Sequence, residues 1–474
     1  MMRWPGFVGP TYTLKSPAQD AQRCVNMFPE IHELGGTKQG EIGYLISTPG
    51  LRRLATIGTG PIRGTYQTST GRLAVVSGSE LYRVDSTWTA TKVGDLMTNT
   101  GMVDMTDNGQ DLLVVDGPNG YAVSLVTGVF QRIVGEAFYG ADRCGFLDGY
   151  FVLNNPGTSQ FYLSDLYKAT SYDGLDFGNA EGNPDAVVAV LVDRRQVWLL
   201  GAKTMEVWWN TGAEFPLSRI DGSFAEVGCA SAHAARKFAG TVAWLTDQGQ
   251  VVVADGYQPR RISNFAVEDA IQQGGDLSKA YAWTYQDGGH IFYALQLETG
   301  SSTWVYDSST GQWHERTFTT GGQQTLHRGA CHEWAFETHV IGDREDGRIY
   351  AFEDGQRTDD GAVITQERIP PRLSSPSLER AFVSELVIDM ETGIGIDGTG
   401  QGEDPQAMLR SSRDGGRTWG AERWVSLGAI GNRRVRAIWR RFGQARDLGV
   451  WFRVTDPVRL VINGAEIKVQ QGTS

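Results

Sequence analysis

The sequence predicts an all-β protein, a six- or seven-bladed β-propeller with an extended N-terminal arm and a C-terminal β-sandwich-like domain. Three observations carry this expectation. Apolar residues alternate with a period of two far more often than they recur at helical spacing. Glycine accounts for 60 of the 474 residues, nearly twice the average usage of about 7%, while 40% of the chain remains hydrophobic, so the glycines mark turns rather than disorder. Hairpin-like segments also recur at near-constant intervals.

These hairpins begin at Leu73, Leu112, Tyr150, Gln196, Thr241, His290 and His339, at successive intervals of 39, 38, 46, 45, 49 and 49 residues. A four-stranded propeller blade takes about 40–50 residues. The propeller is therefore expected over 55–365. Strand-borne Trp198, Trp208, Trp209, Trp244, Trp283, Trp304 and Trp313 suit the packing between twisted blades. Residues 1–54, with Pro- and Gly-rich stretches at Pro5–Pro10 and Gly35–Gly43, read as an arm lying on another surface. Residues 366–380, containing Arg368-Ile369-Pro370-Pro371, read as a linker. From 381 to 474 the alternating runs VSELVIDM, WFRVTD and VRLVINGAEIKV predict a β-sandwich module, with Gly393–Gly402 as a flexible loop.

The net charge of −12 argues against a general nucleic-acid binder, which neutralises phosphates with excess Lys and Arg. Its distribution is uneven. Between Arg410 and Arg459 stand 12 arginines against four acids, Asp414, Glu422, Asp447 and Asp456; Glu466 and Lys468 cancel, leaving −20 on the preceding 409 residues. Cys24, Cys144, Cys229 and Cys331 are too scattered for a metal or redox pair and read as reduced core thiols of a protein made in cytoplasm. The start Met1-Met2-Arg3-Trp4-Pro5 lacks a signal-peptide core and no apolar run is long enough to span a bilayer, so neither export by a cleavable signal nor membrane insertion is expected.

Enzyme signatures are missing from the sequence. No Gly-Lys dipeptide offers a Walker lysine, His314-Glu315 and His332-Glu333 lack the second zinc-binding His, and no G-x-S-x-G elbow occurs. The acids of Asp104–Asp111 are out of phase with a calcium loop, and Asn108-Gly109 reads as a hairpin turn. Ser412, Asp414, Gly416, Thr418 and Trp419 match the Asp-box of sialidase-type propellers, with an R-I-P upstream. That box is a turn in which the Asp binds backbone and Gly permits positive φ, and too little chain follows for a glycosidase. No catalytic, cofactor or metal site is expected. Arg433, Arg434, Arg436, Arg440, Arg441 and Arg446, interleaved with Trp439, Phe442 and Trp451, form a candidate protein interface, with a solvated basic face as the alternative.

Several anchors in one order resemble the packaged-DNA stabilisation proteins, or tail hub and nozzle proteins, of short-tailed phages. They are Val25-Asn26-Met27, Gly43-Tyr44-Leu45, Pro49-Gly50-Leu51, Arg63-Gly64, Leu81-Tyr82, Gly201–Ala213, Ser412–Gly420, Arg434-Val435, Trp439–Gly443 and Pro457-Val458. The resemblance implies a structural virion protein, a hexameric hub that closes the DNA channel below the portal and its adaptor ring, passes double-stranded DNA at ejection, and carries a needle, spikes or fibres. It implies no cofactor. Val25, Asn26 and Met27 join the arginines as candidate contacts, since an extended arm must lie on something. A phage receptor- or glycan-binding propeller and a sialidase-type glycosidase are the alternative functions.

Overall fold

The computed structural model describes residues 1–16, 21–32, 42–180, 182, 185–374 and 380–471. Each of the seven hairpins forms the second and third strands of a four-stranded antiparallel blade. Blade 1 comprises Ile62–Gln67, Leu73–Ser77, Glu80–Val84 and Ala90–Asp95. Blades 2 to 6 begin with the inner strands Asp104–Asp107, Cys144–Leu147, Val187–Asp193, Arg236–Phe238 and Tyr281–Asp287. Blade 7 takes Gly329–Ala335, Thr338–Asp343 and Arg348–Glu353 from the end of the propeller and its outer strand, Gly50–Thr56, from near the N-terminus. Inner strands of successive blades touch around a ring that closes between blades 7 and 1, giving a seven-bladed β-propeller.

Local chemistry explains the blades. In blade 2, Asn108 Oδ1 accepts from the Gln110 and Asp111 amides at 2.9 and 2.7 Å, and Gly109 sits at φ +86°, so Asn108-Gly109 makes the expected turn. Trp198, Trp208, Trp244, Trp283, Trp304 and Trp313 are buried in the apolar clusters of the blades; truncating a buried Trp typically costs about 3–5 kcal/mol. Trp209 differs from expectation and is 50% exposed, because its strand neighbour Trp208 takes the inward side of the pleat.

The sandwich packs two sheets around Leu386, Leu409, Trp439 and Phe452. In order, one sheet runs Met27–Ile31, Ile42–Ser47, Val461–Gln471, Ala381–Met390 and Ala437–Ala445; the other runs Ala21–Val25, Gln366–Ile369, Asp447–Val454, Gln406–Ser412 and Arg423–Ser426. The N-terminal segment therefore does not lie on a foreign surface. It supplies strands to both sheets and to blade 7. The expected boundary after residue 54 falls inside the strand Gly50–Thr56, and the expected linker opens with the strand Gln366–Ile369. Short strands in a Pro- and Gly-rich context gave no period for the sequence to reveal. Residues 35–41 of the arm and 375–379 of the linker lie outside the described residues.

The second sheet does not stop at the sandwich, because Val25 pairs in parallel with Glu315 on the outer strand of blade 6. Asn26 fixes this junction. Its φ of +53° is tolerated by Asn better than by most residues. Its amide donates to Glu315 O at 2.8 Å; its carboxamide accepts from Thr317 N at 3.0 Å and donates to Thr317 Oγ1 and Thr365 O at 3.0 and 2.9 Å. Asn26→Ala leaves the buried Thr317 amide unpaired and strains the backbone, and should cost about 2–4 kcal/mol, read as a lower midpoint in urea unfolding.

Beside this junction, His290 of blade 6 contacts Asp307 Oδ2 through Nδ1 at 2.8 Å and Glu30 Oε2 through Nε2 at 2.9 Å. Burial opposes the imidazolium, but the two carboxylates prevail and raise its pKa from 6.5 to about 9, while the neighbouring His314 is held neutral by burial. A folded-state pKa above the unfolded value contributes stability that is complete below about 6.5 and vanishes as pH rises through about 9, on the order of 3 kcal/mol here. The stability difference between wild type and His290→Gln should accordingly shrink from pH 6.5 to pH 9.5 in paired denaturant titrations.

Candidate interaction surface

Both sandwich sheets begin beside the propeller and end in strands paired on one side only, Ala437–Ala445 and Arg423–Ser426. Residues 427–436 link these two edges. Arg433, Arg434 and Arg436 are exposed on the link, and among the described residues none has a carboxylate partner. Arg440, on the edge strand, is paired with Glu385 at 2.8 Å. Arg441 is exposed at φ +65°, where the register shifts between the pairs Val383↔Gly443 and Glu385↔Arg440. The resulting bulge and the row of cations blunt an edge otherwise open to strand pairing.

Other arginines of the basic stretch between Arg410 and Arg459 act as packing groups. The Arg423 guanidinium lies 4.3 Å from the Phe442 ring centroid and donates to Arg440 O at 2.6 Å, while Trp439 Nε1 donates to Arg423 O at 3.0 Å, so the two open edges are tied to each other. Arg410 and Arg453 stand 5.6 and 4.8 Å from the Trp451 ring, a geometry suited to cation–π attraction.

Apolar groups that the sequence reading passed over complete the surface: Ile430, Trp424 and Ile396 are 64%, 59% and 41% exposed. Ile430 stood between Gly428 and Gly431, and a bulky aliphatic residue in a glycine turn was the available signal. The Gly393–Gly402 loop is held rather than free: Gly393 N donates to Leu427 O at 2.7 Å, and Gly431 N donates to Gly393 O at 3.0 Å. A Cβ on Gly393 would meet the Asn432 backbone at 2.8 Å.

Val25, Asn26 and Met27 do not join this surface. All three are fully buried at the junction of propeller and sandwich, so their side chains serve this chain's own fold and are withdrawn from the candidate contact. The Asp-box is a turn. Asp414 accepts from the Thr418 amide at 3.0 Å and from Thr418 Oγ1 at 2.5 Å; Ser412 Oγ donates to Asp414 at 2.7 Å and accepts from Gly416 N at 2.9 Å. These donors hold the Asp414 carboxyl well below its ordinary range. Trp419 packs edge-on against Trp451, with centroids 5.6 Å apart. Asp414→Ala should lower the melting temperature, and wild type and variant alike should leave a fluorogenic sialoside uncleaved.

A closed propeller sharing a sheet with a sandwich whose far edge is basic and partly apolar defines a two-body, all-β protein. Family models described as Bacteriophage P22 Gp10, beta-propeller, and Bacteriophage P22 Gp10, beta-sandwich, match residues 12–356 and 373–470. The chain belongs to this phage stabilisation family and is a structural protein of the phage virion. A search of curated proteins finds no match. Among solved structures, it is similar to the extracellular domain of a hybrid two-component system of B. thetaiotaomicron, at 10% identity and TM-score 0.46 over 75% of this chain and 43% of that one. It is also similar to the WD40 propeller domain of Doa1, at 14% identity and TM-score 0.40 over 64% and 97%. A third similarity is to the propeller domain of Myceliophteria thermophila Cps50 (Swd1), at 12% identity and TM-score 0.43 over 64% and 98%. The chain spans less than half the length of the first of these structures.

Proposed function

We propose that this protein is the tail hub, or nozzle, of a short-tailed phage: a ring, hexameric by family resemblance, that closes the DNA channel below the portal adaptor after packaging and anchors needle, spike or fibre proteins. Membership of the stabilisation family is the observation that carries this reading. The charge split supports it physically. A body bearing −20 over residues 1–409 resists adhesion of passing DNA, since like charges on wall and phosphate repel.

In this reading the basic edge of one sandwich meets an acidic surface of a neighbouring subunit or tail component. Complementary charge of this kind chiefly raises the association rate and weakens with salt. Arg434 and Arg441 are the informative residues because, unlike Arg440, neither is engaged by a carboxylate among the described residues. The double variant Arg434→Glu/Arg441→Glu should fold normally yet retain DNA poorly when added to DNA-filled heads lacking the hub, with infectivity falling in parallel. Retention and infectivity equal to wild type would identify these arginines as a solvated face.

A further inference from the structure

The inner strands of all seven blades surround an axial cavity of about 550 Å³. Arg143 and Arg236, from blades 3 and 5, both line it. Arg143 is committed on several sides: Nε donates to Asp104 Oδ2 at 3.0 Å, and Nη1 donates to Ala232 O and Ala235 O at 3.0 and 3.1 Å. Those two carbonyls lie in the segment that runs directly into Arg236, which brings the second guanidinium alongside the first. The Asp104 oxygen that takes Arg143 also accepts the Cys144 amide at 2.9 Å.

Arg236 makes no direct ion pair of this kind, although the Asp104 charge attracts it from a distance. Its Nε donates to Ala282 O at 2.6 Å, and among the described residues no carboxylate comes within ion-pairing distance of it. Its two terminal nitrogens are left for whatever the cavity holds. Glu333 shares the cavity without an ion pair to Arg236, and burial, only partly offset by the Arg236 charge, pushes its carboxyl up to about 7, so it is only partly charged at neutral pH. Burial and the Arg143 charge depress Arg236 to about 10 against the pull of Asp104, and His233 beside the pair is held neutral, with its enclosed Nδ1 lacking a partner among the described residues. A half-buried cation with no direct ion pair is costly to hold in place. The imbalance is local and positive within a protein whose net charge is −12.

We propose that the axial cavity of the propeller is an anion site, which takes a small oxyanion of the phosphate or sulfate class between the guanidiniums of Arg143 and Arg236. The terminal nitrogens of Arg236 donate to it, and planar guanidinium forks match the oxygen spacing of such anions. The cavity is too small to admit a DNA duplex, so the ligand is a free anion rather than the packaged genome. Binding to the folded state alone stabilises it by mass action, and the bound ion would reinforce the link between blades 3 and 5.

Isothermal titration of the full-length protein with sodium phosphate and with sodium sulfate, at ionic strength held constant with chloride, tests the site. Saturable binding at one anion per chain is expected, together with a rise in melting temperature that chloride does not reproduce. Arg236→Met should weaken binding by about tenfold or more, the loss of a charged hydrogen-bond donor pair, and Arg236→Lys should fall between that variant and wild type. Arg417→Met, on an exposed turn of the sandwich, should bind as wild type does. Wild-type protein that shows no saturable binding at millimolar phosphate or sulfate overturns the proposal, whatever the stability of the variants. Undiminished binding by folded Arg236→Met, or loss in Arg417→Met, would place the anion elsewhere and overturn it as well.

Discussion

The strand Ala21–Val25 is the constraint on which the rest of the architecture depends. It lies between the outer strand of blade 6 and the strand Gln366–Ile369, converting a blade and a sandwich sheet into one hydrogen-bonded surface. Side chains reinforce the backbone. Glu315 of blade 6 meets Arg23 at 2.6 Å, Arg23 approaches Glu367 at 3.8 Å, and Glu367 meets Arg453 of the sandwich at 2.7 Å, so alternating charges occupy four adjacent strands. Opposite charges on neighbouring strands are the favourable cross-strand arrangement, whereas a register slip by one residue would set these side chains on the wrong face.

Beneath this ladder the junction is polar and enclosed. Arg368 is fully buried, donating to the carbonyls of Gly6, Phe7, Pro10 and Arg23 and to the Gln22 side chain. Arg316, equally enclosed, donates to Pro49 O at 2.7 Å and covers the Phe352 ring at 4.6 Å. Apolar replacements of similar volume often match such groups in stability, but buried charges that must all find partners penalise any alternative packing. The junction therefore contributes definition of one arrangement more than gross stability, and Arg368 in particular fixes the course of the first ten residues.

The propeller was legible in the sequence because each blade is local: Leu73–Ser77 and Glu80–Val84 announce their pairing through alternation and the intervening glycine. The junction was not, because its partners are remote. Trp4 Nε1 donates to Pro371 O across 367 positions, and no spacing rule links such residues. Arg368-Ile369-Pro370 consequently read as a linker and Val25-Asn26-Met27 as an external contact. Chain order made the seven glycine-punctuated hairpins countable, but it could not show that a remote strand, Gly50–Thr56, supplies the fourth strand of blade 7. At the basic edge the charge excess was visible from composition, whereas the division of its arginines between packing and exposure required the third dimension. Arg423 and Arg441 have the same formal charge, yet one covers Phe442 and the other sits on a bulge.

The same topology ties the folding of the two bodies together. Residues near the N-terminus contribute the outer strand of blade 7 and strands of both sandwich sheets, and their partners lie after residue 310. Blades 1 to 6 can form from local hairpins, but the ring cannot close and neither sandwich sheet can complete until the two ends of the chain meet. Contacts of such sequence separation carry a loop-closure cost before they return any stabilisation, which makes their formation slow. While they are pending, Ala21–Val25 and Gly50–Thr56 are unpaired edges, the feature most prone to pairing with the wrong chain. Arg23 on the first of these strands and Arg52 and Arg53 on the second place charge on those edges. The cations that later enter ion pairs with Glu315, Glu353 and Asp360 thus oppose edge-to-edge association before the fold is complete.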